Sequence, residues 1–252
     1  NRVSDVHETR DGSLWVATAA GLCRIDPGTP AGGPLFIYVP LDDDPNSNRI
    51  NALASTQDGA LWCGTDAGLF RAVKKDANWS VSRVDIGASA EVEALAEDLW
   101  GGVWAGTTGE VRLVRPDGLV EVRPLEGADR HLPVSCLRVD SAGTLWAGTT
   151  GGISTTSPRA SANATSEPFA RPDKAPTGWG NAVFESSDGS LWAATTTGLW
   201  RAAGSNQRAF ERVAALDGAC NREVWDITQD RDGSMWLATS CGALKIHRYG
   251  FT

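Results

Sequence analysis

The sequence reads DGSLWVATAAGLCRID at residues 11–26, and the same phrase returns as DGALWCGTDAGLFR at residues 58–71 and as DGSLWAATTTGLWR at residues 188–201. Each copy combines an Asp-Gly pair, a Leu-Trp pair and a glycine that opens a second apolar run. Asp-Gly supplies the positive φ angles of a tight hairpin turn. The phrase therefore predicts short antiparallel strands joined by tight turns.

The tryptophan of this phrase occurs six times, at spacings of 47, 42, 42, 46 and 44 residues. The six are Trp15, Trp62, Trp104, Trp146, Trp192 and Trp236. This period is that of a four-stranded propeller blade, whereas leucine-rich and ankyrin repeats are shorter. We therefore predict an all-β fold, a β-propeller of six Trp-containing blades.

The repeats predict a single propeller domain over residues 1–252. Its blades are expected at about 1–47, 48–90, 91–131, 132–177, 178–220 and 221–252. The sixth copy reaches Thr252 just after its third strand, so a seven-bladed ring or a tandem propeller, of which this sequence is one part, stays open.

Composition narrows the classes of function. The 252 residues carry a net charge of -8, which argues against a general nucleic-acid binder because such a protein needs a basic face. No apolar run approaches the roughly 20 residues that span a bilayer. The chain begins at Asn1 without a signal-peptide pattern, and we expect it to be a piece of a longer protein.

The repeated tryptophans are best explained by packing between neighbouring blades, where a large ring fills the wedge and a small residue lets the next sheet approach. Five further tryptophans lie outside this register: Trp79, Trp100, Trp179, Trp200 and Trp225. These are the better candidates for ligand contact, and we place Trp179 and Trp225 first.

The residues that precede each first strand are expected to share one face of the propeller with the loops between second and third strands. Asn-Arg pairs recur there, which predicts a ligand site built from Arg2, Arg49, His131, Trp179, Asn181, Arg222 and Trp225. Guanidinium and amide groups suit sugar hydroxyls and carboxylates. The alternative is that Asn and Arg only satisfy turn carbonyls. Asp5 and Asp226 occupy equivalent first-strand positions, where they either line the channel or bond the backbone.

No catalytic cluster is evident, and we predict neither an enzyme nor a cofactor. His7, His131 and His247 occupy three different repeat positions, so the register does not bring them together. No spaced Cys/His set indicates zinc, and the run 42–44 of three aspartates is expected to be solvated.

The five cysteines leave at least one free thiol. Cys23, Cys63 and Cys136 fall in strands and are interpreted as small buried residues. Cys220 and Cys241 are both expected in loops on the ligand face, and we predict a disulfide between them, which suits an oxidising compartment. The segment from Ser154 to Pro176 is expected to be a mobile excursion without chemistry.

The phrase at residues 11–26, echoed at 58–71 and 188–201, resembles the two-component regulator propeller repeat. This resemblance implies the extracytoplasmic, periplasmic sensor region of a bacterial hybrid two-component system, many of which detect oligosaccharides. It also implies a further propeller, an immunoglobulin-like domain, a membrane helix and a histidine kinase elsewhere in the same chain. The implied partner is an oligosaccharide or another small ligand.

Two other functions remain open. The propeller either scaffolds protein contacts or a homodimer without binding a small molecule, or it is a lyase that resembles the streptogramin-inactivating enzymes. A sugar site predicts exposed Trp179 or Trp225 near Arg and Asn, whereas a scaffold predicts a broad apolar patch.

Overall fold

The computed structural model describes residues 2–25, 36–76, 78–87, 91–157, 161, 167–172, 174–202, 209–214 and 223–247. Within them, 22 short strands and a 3₁₀ helix at Gly127–His131 follow one another along the chain. The strands are β1 Val3–Glu8, β2 Leu14–Thr18, β3 Gly21–Ile25, β4 Phe36–Val39, β5 Ile50–Ser55, β6 Leu61–Thr65, β7 Gly68–Lys75, β8 Asn78–Val84, β9 Ala94–Glu97, β10 Val103–Thr107, β11 Glu110–Val114, β12 Val120–Pro124, β13 Val134–Val139, β14 Leu145–Thr149, β15 Gly152–Thr156, β16 Gly180–Glu185, β17 Leu191–Thr195, β18 Gly198–Ala202, β19 Glu211–Arg212, β20 Val224–Gln229, β21 Met235–Thr239 and β22 Gly242–Ile246.

These strands form six antiparallel sheets in chain order, and in each sheet successive strands are neighbours. Sheets 1, 2, 3 and 5 have four strands, and sheets 4 and 6 have three within the described part of the chain. Such small meandering sheets are the blades of a β-propeller, which confirms the predicted fold class.

The chain divides into two compact units, Asn1–Val122 and Arg123–Thr252. Sheets 1 to 3 belong to the first unit, apart from the last two residues of β12, and sheets 4 to 6 belong to the second. We call the edge of a sheet where its first strand begins the top edge. The opposite edge, which carries the hairpin between its first two strands, is the turn edge.

Each repeat tryptophan after the first is anchored to the residue six positions before it. The indole Nε1 donates a hydrogen bond of 2.9–3.2 Å to a Thr, Ser or Asp at the end of the first strand. These acceptors are Thr56, Asp98, Asp140, Ser186 and Asp230. In these five sheets the indole N–H of the repeat tryptophan therefore has a hydrogen-bond acceptor.

The basic residue near the end of the third strand is structural. The guanidinium of Arg201 lies 5.1 Å from the Trp192 ring centroid and 3.2 Å from a carboxylate oxygen of the turn residue Asp188. Arg71 makes the same pair of contacts, with Trp62 and Asp58. Lys245 lies over the Trp236 ring but pairs with Asp230, which also accepts the Trp236 indole N–H. Cation–π and ion-pair contacts thus hold the basic side chain over the tryptophan ring at the turn edge.

Packing between adjacent sheets uses the fourth strand. Trp79, on β8, meets Trp15 of sheet 1 edge to face with centroids 4.7 Å apart. Phe210, next to β19, meets Trp146 of sheet 4 in the same way at 5.8 Å. Trp79 is therefore a packing residue, although the sequence placed it outside the repeat.

The predicted excursion from Ser154 to Pro176 begins later than expected. Ser154 lies in β15 and is buried, and Thr155 forms an isolated antiparallel bridge with Ala170. The Phe169 side chain is buried, and Arg171 makes a two-pronged ion pair with buried Asp129, at 2.9 and 3.0 Å. The prediction is wrong at these positions, because an apolar side chain and an ion pair hold the returning chain on sheet 4.

Candidate functional site

A β-bulge occupies the second position of the first strand in five sheets. The strand pairing skips one residue there: Ser4, Asn51, Ser135, Asn181 and Trp225. Glu93 holds the equivalent position in sheet 3, just before β9. Bulges release a side chain from the ladder and are common beside functional sites.

Four of these side chains join one sheet to the next at the top edge. Each side chain donates a hydrogen bond of 2.5–3.3 Å to a backbone carbonyl at or just before the first strand of the following sheet. The donor and acceptor pairs are Ser4 and Ile50, Asn51 and Val92, Ser135 and Gly180, and Asn181 and Val224. The amide of Asn181 thus bonds the backbone, as the structural alternative predicted. Glu93 and Trp225 hold the same position in sheets 3 and 6, and the Trp225 side chain is 50% exposed.

Glu93 lines a polar cavity of about 300 Å³ at the top edge of the first unit. Arg2, Arg49, Asn51 and Glu91 line it as well, with Val3, Ser4, Ala19 and Ile50 forming the rest of the wall. The structure therefore brings together two of the predicted site residues, Arg2 and Arg49. Asn51 and Glu93 were not among them, although their positions in the repeat were a usable signal.

Asp66, in the loop between β6 and β7, fixes two of these side chains. One carboxylate oxygen lies 3.0 Å from Arg49 Nε, and the other accepts a 3.0 Å hydrogen bond from Asn51 Nδ2. The Arg49 side chain is 60% exposed, so this ion pair orients the guanidinium more than it stabilises the fold. Arg49 is therefore held in place and open to solvent.

The acidic groups of the cavity have raised pKa values. For Glu91, burial is the largest cause, followed by the charge of Asp66 and a hydrogen bond to it, while Arg49 opposes the shift. For Glu93, burial again leads, followed by the charges of Glu91 and Asp66. With Asp66, three carboxyl groups and two guanidinium groups thus give the cavity both acceptors and donors, with acidic groups in slight excess.

The top edge of the second unit carries two exposed aromatic rings, Trp179 at 46% and Trp225 at 50%. The Trp179 backbone is fixed by two hydrogen bonds with Thr196, at 3.0 and 3.1 Å. Half-exposed indoles on rigid backbone are suited to stacking on a flat apolar ligand face. Trp200, by contrast, is partly buried and donates to Thr195 Oγ1.

The remaining predicted site residues are placed as follows. His131 ends the 3₁₀ helix, is exposed and accepts a 3.0 Å hydrogen bond from Arg130 Nε. Arg222 and Cys220 lie outside the described residues. Cys241 is disulfide-bonded, and its pairing with Cys220 stays a prediction. Asp5 Oδ2 accepts from the backbone N–H of Leu53 on the next sheet, which favours the backbone-bonding alternative for that carboxylate.

The histidines occupy different places within their units. His7 Nε2 lies 2.9 Å from Ser55 Oγ, and burial lowers the pKa of its ring. In the second unit, His131 precedes β13 at the top edge, whereas His247 follows β22 at the turn edge. Across the described residues, no three His, Cys, Asp or Glu side chains converge to hold a metal ion.

No helix among the described residues has the length and hydropathy needed to cross a bilayer. The described free thiols, Cys23, Cys63 and Cys136, lie in strands. Burial raises the pKa of the Cys136 thiol to about 12, and it raises that of Cys63 as well. Both are therefore unreactive packing residues at neutral pH.

Comparison with solved structures supports the propeller fold. The extracellular domain of a protein assigned as the hybrid two-component system BT3049 of B. thetaiotaomicron matches 98% of this chain at 19% identity, with a TM-score of 0.77. The match covers 34% of that structure, so this chain spans about a third of its length. PorZ, a component of the type-IX secretion system of Porphyromonas gingivalis, matches 97% of this chain and 38% of its own at 15% identity, with a TM-score of 0.71.

An enzyme shares the fold as well. A catalytically inactive variant of virginiamycin B lyase from Staphylococcus aureus, solved with quinupristin, matches 96% of this chain and 79% of its own at 15% identity, with a TM-score of 0.69. Fold alone therefore does not distinguish a sensor from a lyase.

Sequence comparison identifies the repeat. No curated protein sequence matches the chain significantly, but the family model for the two component regulator propeller matches residues 218–241, which begin three residues before the sixth copy and otherwise lie within it. The same phrase recurs throughout the sequence, and the extracellular domain of the hybrid two-component system named above shares the fold. One segment of this β-propeller therefore matches the two component regulator propeller model, and the solved structures support the fold.

Proposed function

We propose that this propeller is the periplasmic ligand-sensing part of a hybrid two-component system, and that it binds a neutral oligosaccharide in the top-edge cavity of the first unit. The observation that carries the proposal is the convergence of Arg2, Arg49, Asn51, Glu91 and Glu93 on one cavity of about 300 Å³. That volume suits one or two sugar rings.

The chemistry of the cavity favours a neutral sugar over an acidic one. Vicinal hydroxyls both donate and accept, and they match guanidinium donors beside carboxylate acceptors. An acidic sugar would bring its carboxylate close to Glu91 and Glu93, and like charges in a partly buried site repel. The proposal therefore ranks neutral glycans above uronic-acid oligomers.

The test is calorimetric titration and thermal shift with neutral gluco-, manno- and xylo-oligosaccharides and with acidic oligogalacturonides. A neutral oligosaccharide should raise the melting temperature of the wild type. Arg49→Ala should weaken its binding roughly tenfold or more, the loss expected for a charge-assisted hydrogen bond. Lys75→Ala, which removes an exposed positive charge at the end of β7, serves as the matched control and should bind like the wild type.

Two further variants separate the two top edges. Trp179→Ala and Trp225→Ala remove the exposed rings of the second unit and test whether that surface takes part in binding. Loss of binding in these variants but not in Arg49→Ala would move the site to the second unit. Failure of every sugar to bind folded protein would contradict the proposal.

A second candidate function, a protein scaffold or homodimer, rests on a different surface. Leu99 and Trp100 lie on the β9–β10 turn, and Leu119 lies on the β11–β12 turn of the same sheet, each 45–59% exposed. Three large apolar side chains on adjacent turns form a contact patch. Sedimentation analysis of the wild type and of Trp100→Ser would reveal a dimer that depends on this patch.

A further inference from the structure

Glu93 brings a carboxylate to a top-edge position where four other sheets carry a neutral side chain. The residues at that position in the other four are Ser4, Asn51, Ser135 and Asn181. The Glu93 backbone is fixed to its own sheet, because its N–H donates to the Gly106 carbonyl at 3.0 Å. The side chain is half-buried and lines the cavity of the first unit. Sheet 3 therefore adds a charge to this cavity where its neighbours add a neutral group.

The cavity offers a ligand acceptors from three side chains. Asn51 donates twice from its amide nitrogen, to Asp66 at 3.0 Å and to a carbonyl of the following sheet at 3.3 Å. What this amide still offers a ligand is its oxygen, an acceptor. Glu91 and Glu93 line the cavity beside it, and ionised carboxylates only accept hydrogen bonds. A ligand group with several donors therefore finds partners here.

The charge of Glu93 is compensated less than that of Glu91. Arg49 opposes the rise in the pKa of Glu91, and its Nε is paired with Asp66 at 3.0 Å. The pKa of Glu93 is raised by burial and by the charges of Glu91 and Asp66, and none of the described groups that shift it is positively charged. A cation that enters the cavity is therefore attracted to Glu93, since an opposite charge nearby favours the ionised carboxylate.

A primary ammonium group matches these acceptors. It has three donors around one compact positive charge. Its hydrogen bonds to carboxylates are roughly twice as strong as those between neutral groups, so it gains more from Glu91 and Glu93 than a sugar hydroxyl does. On a sugar ring it takes the place of one hydroxyl, which leaves the size of the ligand almost unchanged.

We propose that the glycan bound in this cavity includes an amino sugar with a free amino group, and that its ammonium lies between Glu91 and Glu93. The inference rests on the proposed function and narrows it, because one sugar of an otherwise neutral chain now carries a positive charge. Arg49, which Asp66 holds in place, is left to bond the ring hydroxyls. Glu93 is then the residue that selects among glycans.

Three disaccharides with the same linkage test the proposal. Cellobiose, N,N′-diacetylchitobiose and fully de-N-acetylated chitobiose differ only in the group at carbon 2 of each ring. Calorimetric titration of the 252-residue chain at pH 7 measures the Kd of each. We expect the free amine to bind roughly tenfold or more tightly than either neutral disaccharide. This advantage should disappear at pH 9, where the amine has lost its proton.

One substitution assigns the advantage to Glu93. Glu93→Gln keeps the shape of the side chain and removes its charge, so it should abolish most of the preference for the amine over cellobiose. Glu8→Gln removes a carboxylate from an exposed position at the end of β1 and should keep the preference. Each variant is scored by the ratio of two Kd values measured on the same protein, so a loss of stability does not imitate the result.

A small diamine, 1,4-diaminobutane, distinguishes an amino sugar from an amine of any kind. It should not displace de-N-acetylated chitobiose at equal concentration, because it lacks the rings. Displacement would overturn the proposal, and so would an unchanged preference in Glu93→Gln. Equal binding of the three disaccharides would overturn it and leave the proposed function standing, whereas failure of all three to bind folded protein would overturn both.

Discussion

Trp146 and Trp192 occupy the same position in adjacent sheets, but only Trp146 is covered. Its side chain is 1% exposed and meets Phe210 of sheet 5 edge to face, whereas Trp192 lines a cavity next to sheet 6. Both donate Nε1 to a residue six positions earlier. The different burial of the two rings comes from the following sheet and not from the repeat phrase. The environment of a repeat tryptophan is therefore set by the sheet that packs against it.

The largest effect is expected at the covered ring. Trp146→Ala should lower the free energy of unfolding by about 3–5 kcal/mol, because it removes a buried ring and leaves a void that close packing cannot fill. Trp192→Ala should lower it by less, since part of that ring already faces open space. Urea unfolding of both variants measures the two values, and equal losses would contradict the comparison.

Removing Phe210, which covers Trp146, should leave Trp146 beside a cavity, as Trp192 is now. Phe210→Ala is expected to lower the free energy of unfolding by about 3 kcal/mol and to open a cavity beside Trp146. Fluorescence quenching by acrylamide should then detect a newly accessible indole. An unchanged quenching constant would mean that sheet 5 collapses over the gap.

A third prediction concerns Asp140, which accepts the hydrogen bond from the Trp146 indole. Asp140 is buried and accepts hydrogen bonds from Ala142 N, Thr144 N and Trp146 Nε1, at 3.0, 2.8 and 2.9 Å. Asp140→Ala should lower the free energy of unfolding by about 2 kcal/mol, because it leaves buried donors without an acceptor. Ser186→Ala, the matched change beneath Trp192, removes a neutral hydroxyl and should have a smaller effect in the same denaturation experiment.

The smallest effect is expected at the polar cavity of the first unit, where no indole packing is disturbed. Burial and neighbouring charges raise the pKa of Glu93 above its value in the unfolded chain. The native state therefore binds this proton more tightly, and its stability falls as pH rises through the unfolded and then the raised folded pKa. Glu93→Gln should raise the melting temperature by roughly 1–3 °C at pH 7, with no gain at pH 4.

Calorimetric melts of wild type and Glu93→Gln between pH 4 and pH 8 check this prediction. Glu8→Gln, at an exposed position at the end of β1, is the control and should show no comparable pH-dependent gain. A Glu93→Gln protein that melts lower than wild type at pH 7 would mean that the carboxylate makes a favourable native contact.

The sequence predicted the sheets well because their period, turns and apolar strands are local properties. It placed Arg2 and Arg49 at one cavity, since equivalent repeat positions share an edge. It missed Glu93, because no Asn-Arg pair marks the third copy and glutamate replaces the asparagine found at residue 51. The cavity beside Trp192 was not predictable from the phrase itself, since it depends on a fourth strand and on packing between sheets.

The bulge at the second position of the first strand gives the repeat a freedom that most strand positions lack. Substituting a residue of the strand ladder also alters its contacts with the residue opposite it. The residue at the bulge has no such partner on the neighbouring strand. Ser, Asn and Trp all occur at the bulge while the register on either side stays the same. The side chains at the top edge can therefore vary one sheet at a time, by single substitutions that leave each sheet's hydrogen-bonded ladder intact.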